Sequence, residues 1–385
     1  MTPLRLANFV DTPLEALERK GNLGQALFLY NPLGVAEKVV HFTAYPGDRR
    51  FAAPFAARGI EIFPFFRRTT RFAAAALTAP AAWFRIVRKI RRERLNIIRG
   101  RLPYFSSFLG CVAGRVLGVP SVVSLGGDNR LPQEREGRYY FGSRTVSFGL
   151  ERTVLRLADA VIVPNAFTAA YVGRIAGARV ASRVSIVPWP IHIDDQQKEA
   201  ASLDHLRLPD LPLVLVVGHL NRYKFAGEMF DVAERLMHQH GDRVVVAFCG
   251  DGPMRADGEA RLRDHPNVRF LGWQPNAVVL RLMARAAVML VPMSGFVVLE
   301  AASRGVPVIA GDIEWHSEII RDGDTGWLAP PDAPDAWAAR VRWVLEHPDE
   351  ARATGSRLRA LFESSYSPQV ALGREIALYR QLLAS

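Results

Sequence analysis

The stretch Arg285–Gly311, RAAVMLVPMSGFVVLEAASRGVPVIAG, decides the fold. Val288 to Val291 is an apolar run of strand length that breaks at Pro292. A Ser-Gly pair follows, then a short helical pattern, and Val306 to Ala310 is a second apolar run. Strand, loop, helix, strand is the repeating unit of a parallel α/β sheet. Such sheets bind ligands at the carboxyl ends of their strands, where helix N-termini offer free N–H groups to anions. Ser294 suits the N-cap of the short helix, which leaves Gly295 and Phe296 as first-turn donors. Glu300 lies further along that otherwise apolar helix. A carboxylate there needs hydrogen-bond partners, and vicinal ribose hydroxyls would serve. On this stretch alone, a satisfied core glutamate is an equally good reading.

A second site lies upstream. Leu211 to Val217, LPLVLVV, reads as a buried strand and runs into Gly218-His219-Leu220-Asn221-Arg222-Tyr223-Lys224, with a helix expected from near Phe225. Two cations directly after a strand are well placed for a diphosphate, Arg222 as a planar fork and Lys224 as a mobile point charge. A third loop, Gly250-Asp251-Gly252-Pro253, follows the apolar run Val244 to Cys249. Alone it is no more than a turn signal; three polar loops at three strand ends point to one ligand edge.

These segments, in this order over Leu211 to Pro330, resemble the donor-binding domain of retaining GT-B-fold glycosyltransferases of family 4. The matching pieces are VVGHLNRYKFAGEMFDVAERL, VVVAFCGDGPM and VRFLGWQPNAVVLRLMARAAVMLVPMSGFVVLEAASRGVPVIAGDIEWHSEIIRDGDTGWLAP. The resemblance implies that Lys224 holds the donor diphosphate and that Glu300, matching the second glutamate of the family's pair, holds the ribose. It also implies that Gly218, Gly250, Gly252 and the backbone near Gly272-Trp273 line phosphate and base. Two positions depart from the pattern. His219 stands where the family usually has arginine, leaving Arg222 to supply that charge. The first glutamate of the pair is missing: Ser294 precedes Gly295-Phe296, the loop is two residues short, and no acidic residue lies between Arg285 and Leu299.

The first half alternates in the same way. Strands are expected at Leu4 to Val10, Lys38 to Thr43, Gly59 to Pro64, Leu95 to Arg99, Val119 to Leu125 and Ala160 to Pro164, most of them separated by helical patterns. LNIIRGRLPYFSSFLGCVAGRVLGVPSVVSLGGD and LERTVLRLADAVIVPNAFTAAYV resemble the family's acceptor domain. Where the family often has a histidine after the fifth strand, Gly126-Gly127-Asp128 stands here. Asp128 is the candidate polar residue facing the acceptor sugar, and a turn aspartate beside two glycines is the equal alternative. The expected architecture is therefore α/β of the GT-B type: two Rossmann-like parallel-sheet domains facing across a cleft. The boundaries are 1–190 for the acceptor domain, 191–210 for a Pro-rich polar linker and 211–366 for the nucleotide-sugar domain. Residues 367–385 form a last helix packing back on the first domain.

Charge is uneven. Residues 1–200 carry 29 Lys and Arg against 15 Asp and Glu, whereas residues 201–385 carry 20 against 23, so the whole excess of +11 belongs to the first half. Its densest part is 63–101, where Trp83, Ile86, Val87 and Ile90 fall on one helical stripe and Arg85, Arg88, Lys89, Arg91 and Arg92 lie off it. A basic amphipathic helix can lie on an anionic bilayer; equally, the stripe can pack on the sheet and the basic face be solvated. No zinc spacing or RNA-binding signature supports nucleic acid as the partner. Cys111 and Cys249 read as core thiols. The N-terminal stretch lacks a signal-peptide core and no run approaches a membrane span, so a cytoplasmic chain, peripheral on the inner face, is expected. No metal is expected.

The resemblance thus implies a glycosyltransferase moving a sugar from a UDP- or GDP-sugar to a glycan or lipid-linked acceptor with retention, with no cofactor besides the donor. The alternative is a nucleotide-sugar-binding protein of the same fold with weak or lost transfer.

Overall fold

The computed structural model describes residues 3–19, 23–31, 34–66, 72–137, 139–191, 202–241, 243–293 and 296–384. The chain divides into two compact units, Met1–His192 with Gln369–Ser385, and Ile193–Pro368. Among the described residues each unit is built on one parallel sheet.

The first sheet runs β3-β2-β1-β4-β5-β6-β7. Its strands are β1 Arg5–Val10, β2 Lys38–Thr43, β3 Ile60–Pro64, β4 Ile97–Gly100, β5 Ser121–Ser124, β6 Ala160–Val163 and β7 Val184–Ile186. Alternate residues serve opposite faces. Leu6, Val39, Ile97, Val122 and Ile162 pack with Leu29, Phe55 and, from the final helix Pro368–Ala384, Ala371 and Tyr379. Phe9, Phe42 and Ile98 face the other way, against Ile86, Val87 and Ile90 of the helix Phe72–Arg92. Strands covered on both faces need continuous apolar runs, which is why VVHFT and AVIV declare themselves in sequence.

The second sheet runs β10-β9-β8-β11-β12-β13: β8 Leu213–Val217, β9 Val245–Cys249, β10 Val268–Gly272, β11 Val288–Val291, β12 Val308–Gly311 and β13 Trp327–Ala329. Val214, Val216, Phe248 and Leu290 pack against Phe230, Ala233 and Leu236 of the helix Ala226–His240 and Trp337 of the helix Pro334–Glu346. Burying each such side chain contributes roughly 1.5–3 kcal/mol.

Both sheets are doubly wound: order reverses between β1 and β4 in one, and between β8 and β11 in the other. Three strands were not expected from sequence: β7, β10 and β13. All three are sheet edges, covered on fewer sides, so their residues need not all be apolar.

The basic segment differs from its membrane reading. Ile86, Val87 and Ile90 are buried in the core and Trp83 is partly buried, so the apolar stripe is spent on the sheet and cannot enter a bilayer. Two of the flanking cations are also engaged: Arg85 donates to the carbonyls of Pro64 and Phe65, and Lys89 pairs with Glu61 and Glu93. Arg88, Arg91 and Arg92 stay exposed beside Phe84, which is 62% exposed. Residues 67–71 lie outside the described set, as does half of the expected linker, 192–201. No helix among the described residues is long and apolar enough to cross a membrane.

Candidate functional site

The second sheet reverses order between β8 and β11, and a recess of about 420 Å³ opens at the carboxyl ends of those two strands. Its wall includes Gly218, His219, Leu220 and Lys224 after β8, and Pro292 and Met293 after β11. A doubly wound sheet takes its ligand at such a reversal, because the crossovers leave the two strand ends uncovered there.

Lys224 reaches the recess on a single tight turn. Asn221 accepts from the Lys224 N–H through Oδ1 at 2.8 Å and caps the 3₁₀ turn Arg222–Lys224. Phe225 then takes a left-handed conformation, φ +56°, before the helix proper begins at Ala226. The helix thus begins one residue past the expected Phe225, preceded by a turn that Asn221 caps. The Lys224 ammonium makes no hydrogen bond or ion pair among the described residues. Burial pulls its pKa below the ordinary lysine value, and the Glu314 carboxylate partly offsets that. A partly desolvated cation with no carboxylate in direct contact among the described residues is a site prepared for an anion.

The glycines beneath it have a structural task. Gly250, at φ +148°, donates to the Gly272 carbonyl at 2.9 Å, and Gly218 donates to the Cys249 carbonyl at 3.0 Å. Side chains at Gly250 and Gly252 would collide with the Gly218 and Leu220 carbonyl oxygens. The loops after β8 and β9 thus lie backbone against backbone, and this contact fixes where the Lys224 turn starts.

The remaining residues expected at this site fall at several places. His219 is exposed and in the recess wall, whereas Arg222 is exposed and outside it. Glu300 lies on the helix Phe296–Arg304 after β11, bonded to the Asn276 side chain, with burial raising its pKa above the ordinary glutamate value. It does not line the recess itself. Trp273, just past β10, is 59% exposed, and Phe296, the first residue of its helix, is 43% exposed. Ser294 and Gly295 lie outside the described residues.

Two participants escaped the sequence reading. Asn276, at the start of the helix Asn276–Arg285, holds Glu300. Glu314, beyond β12, adopts φ +50° and acts electrostatically on Lys224. A non-glycine in the left-handed region is a backbone signal that sequence does not display.

In the first unit, Asp128 Oδ1 accepts from the N–H groups of Arg130 and Leu131 at 2.9 and 3.1 Å, at the start of the helix Arg130–Glu136. Its other oxygen is 3.6 Å from Arg174. This is the bonding of a turn aspartate. No group of three or more His, Cys, Asp or Glu able to hold a metal ion occurs among the described residues.

Comparison with known proteins places these units. Residues 197–360 match the family model of glycosyl transferases group 1, and residues 31–190 match that of the glycosyl transferase 4-like domain. An alpha-D-kanosaminyltransferase of Streptomyces kanamyceticus is 25% identical over 291 residues, 72% of this chain and 74% of that protein. A sulfoquinovosyl transferase of Arabidopsis thaliana is 28% identical over 286 residues, 70% of this chain, and the match spans about half (53%) of the relative's length. Among solved structures, Anabaena HepE in complex with UDP superposes with a TM-score of 0.75 at 14% identity, covering 100% of both chains. Sucrose-phosphate synthase from Thermosynechococcus elongatus gives 0.69 at 20% identity, covering 99% of both.

Proposed function

We propose that the chain, whose two halves match glycosyl transferase family models and whose fold is of the GT-B type, transfers a sugar from a nucleotide-sugar donor held by its second unit to a hydroxyl of a glycan or lipid-linked acceptor held by its first. The observation that carries this reading is the unpaired Lys224 at the strand-order reversal of the second sheet. A donor diphosphate is the counter-ion the site lacks. Glu300, on its own helix, serves the ribose, and exposed Trp273 offers a face to the base.

As the bond between the sugar carbon and the diphosphate breaks, negative charge grows on the departing phosphate oxygen. A fixed ammonium there gains more in the transition state than in the ground state, so it raises turnover and not merely affinity. The acceptor oxygen forms its bond to the same carbon from the face that the nucleotide leaves, which retains configuration. Its proton passes to the departing phosphate. No metal takes part in this scheme. The exposed Arg88, Arg91 and Arg92 give the first unit an electrostatic route to an anionic bilayer carrying a lipid-linked acceptor, in keeping with a role in cell-surface polysaccharide or glycolipid synthesis.

A thermal-shift titration with UDP, GDP, ADP and their sugar conjugates tests the reading, because a ligand of the folded state alone raises Tm with its affinity. One base should produce a clear shift. Lys224→Ala should fold with unchanged Tm, lose most of the diphosphate-dependent shift and lower turnover about a hundredfold. A fully active or unfolded Lys224→Ala would overturn the assignment. Binding without turnover across donors and acceptors would favour the weak-transferase alternative, which the absence of any acid between Arg285 and Leu299 motivates.

A further inference from the structure

The first sheet also reverses its order, between β1 and β4, and the first residue past β4 is Arg101. Its N–H donates to the Phe9 carbonyl of β1 at 3.0 Å, so its backbone is pinned at the reversal itself. Its guanidinium carbon stands 5.9 Å from the ring centres of both Tyr30 and Trp189. Trp189 is fixed in turn, because a side chain at Gly126 would come within 2.7 Å of its ring. Arg101 and Trp189 open on a recess of about 280 Å³, also lined by Ser124, Leu125, Pro164 and Glu375.

The charges around this recess do not balance. Glu375, 3% exposed, is bound to fully buried Arg99 and accepts from the Tyr379 hydroxyl. Arg99 spends a further N–H on the Leu29 carbonyl at 2.7 Å. The wall's carboxylate is therefore already matched by Arg99. The Arg101 guanidinium makes no hydrogen bond or ion pair among the described residues. Burial, with Arg99 beside it, lowers its pKa to about 10, so it stays charged at neutral pH. Two ring faces near the outer limit of cation–π range do not replace a counter-ion. They do hold the planar fork in place, with its N–H edge free for two oxygens.

We infer that Arg101 binds an oxyanion, a phosphate or carboxylate borne by the acceptor, at the strand-order reversal of the first sheet. This rests on the reading that the first unit takes the acceptor, and it adds that the acceptor is anionic. Asp128, occupied by its own helix start, is then not the group that selects it.

Calorimetric titration of the full chain and its Arg101→Gln and Arg101→Lys variants with glucose 6-phosphate, glucuronate, inorganic phosphate and glucose tests this. At least one of the anions should bind the wild type, and at least tenfold more weakly in Arg101→Gln. Arg101→Lys should recover part of the loss, and glucose should stay silent throughout. UDP should act equally on all three proteins, which also reports that each is folded. Failure of every anion to bind the wild type, or equal binding by wild type and Arg101→Gln, overturns the inference. Loss of the UDP effect in Arg101→Gln alone would assign Arg101 to the donor and overturn it too. UDP silent on all three with the anion pattern intact would sink the transferase reading while leaving the anion site standing. Phosphatidylcholine vesicles with and without phosphatidate tell the two sources apart. Phosphatidate-dependent binding lost in Arg101→Gln places the phosphate on a lipid, and an effect limited to soluble anions places it on a free sugar.

Discussion

The two sheets reverse their strand order beside their first strands, yet the cations at the two reversals are held by different means. Lys224 stands on a loop, reached through one capped turn, and the loop is positioned by glycines packed backbone to backbone. Arg101 stands directly on a strand end, with aromatic rings beside it and the buried Arg99–Glu375 pair behind it. The difference teaches where each site is vulnerable. The second unit should be broken by added bulk in its loops, and the first by a change in charge balance.

The largest effect is expected from Glu375→Ala. It leaves Arg99, fully buried, without its carboxylate, which should cost about 3–5 kcal/mol in chemical denaturation. The double variant Arg99→Met/Glu375→Leu should recover most of that, since it removes both charges together. Equal stabilities of the single and double variants would show that the pair does not balance charge in the first unit.

Gly250→Ala should come next, at about 3 kcal/mol. It places a side chain at φ +148° against the Gly218 carbonyl. The loss should reach nucleotide binding as well as Tm, because the displaced loop is the one that carries Lys224. Unchanged UDP affinity in a destabilised Gly250→Ala would uncouple the glycine contact from the lysine.

The smallest effect is a pH dependence in the first unit. Asp11, following β1, accepts from the N–H and hydroxyl of Ser106, and burial raises its pKa from 3.8 to about 6. Below pH 4 it is protonated whether the chain is folded or not. Between pH 4 and 6 the folded state keeps a proton that the unfolded chain has released, so this contribution to stability falls as pH rises through that window. The loss should be at most about 3 kcal/mol and absent in Asp11→Asn. Parallel profiles for the two proteins from pH 4 to 7 would mean that the carboxyl is better hydrated than its surroundings suggest.

Much of this was legible in the chain itself. KVVHFT and VMLV form strands with the expected bounds because strands sandwiched by helices are apolar on both faces. Lys224 was legible because it closely follows such a strand. The basic helix was legible as amphipathic, but periodicity describes a helix and not what its apolar side meets. Ile86 and Ile90 meet the sheet. Glu314 was not legible, since its influence on Lys224 depends on a left-handed turn beyond a different strand.

By itself the sequence determined the α/β class and two units each built on a parallel sheet. Those follow from local apolar runs and the polar loops that end them. Only the tertiary structure decided which charges are matched and which are left over. Arg99 finds Glu375, from a helix at the far end of the chain, while Arg101 and Lys224 find no carboxylate to pair with among the described residues. Pairing is a property of distance in space, and spacing along the chain does not encode it.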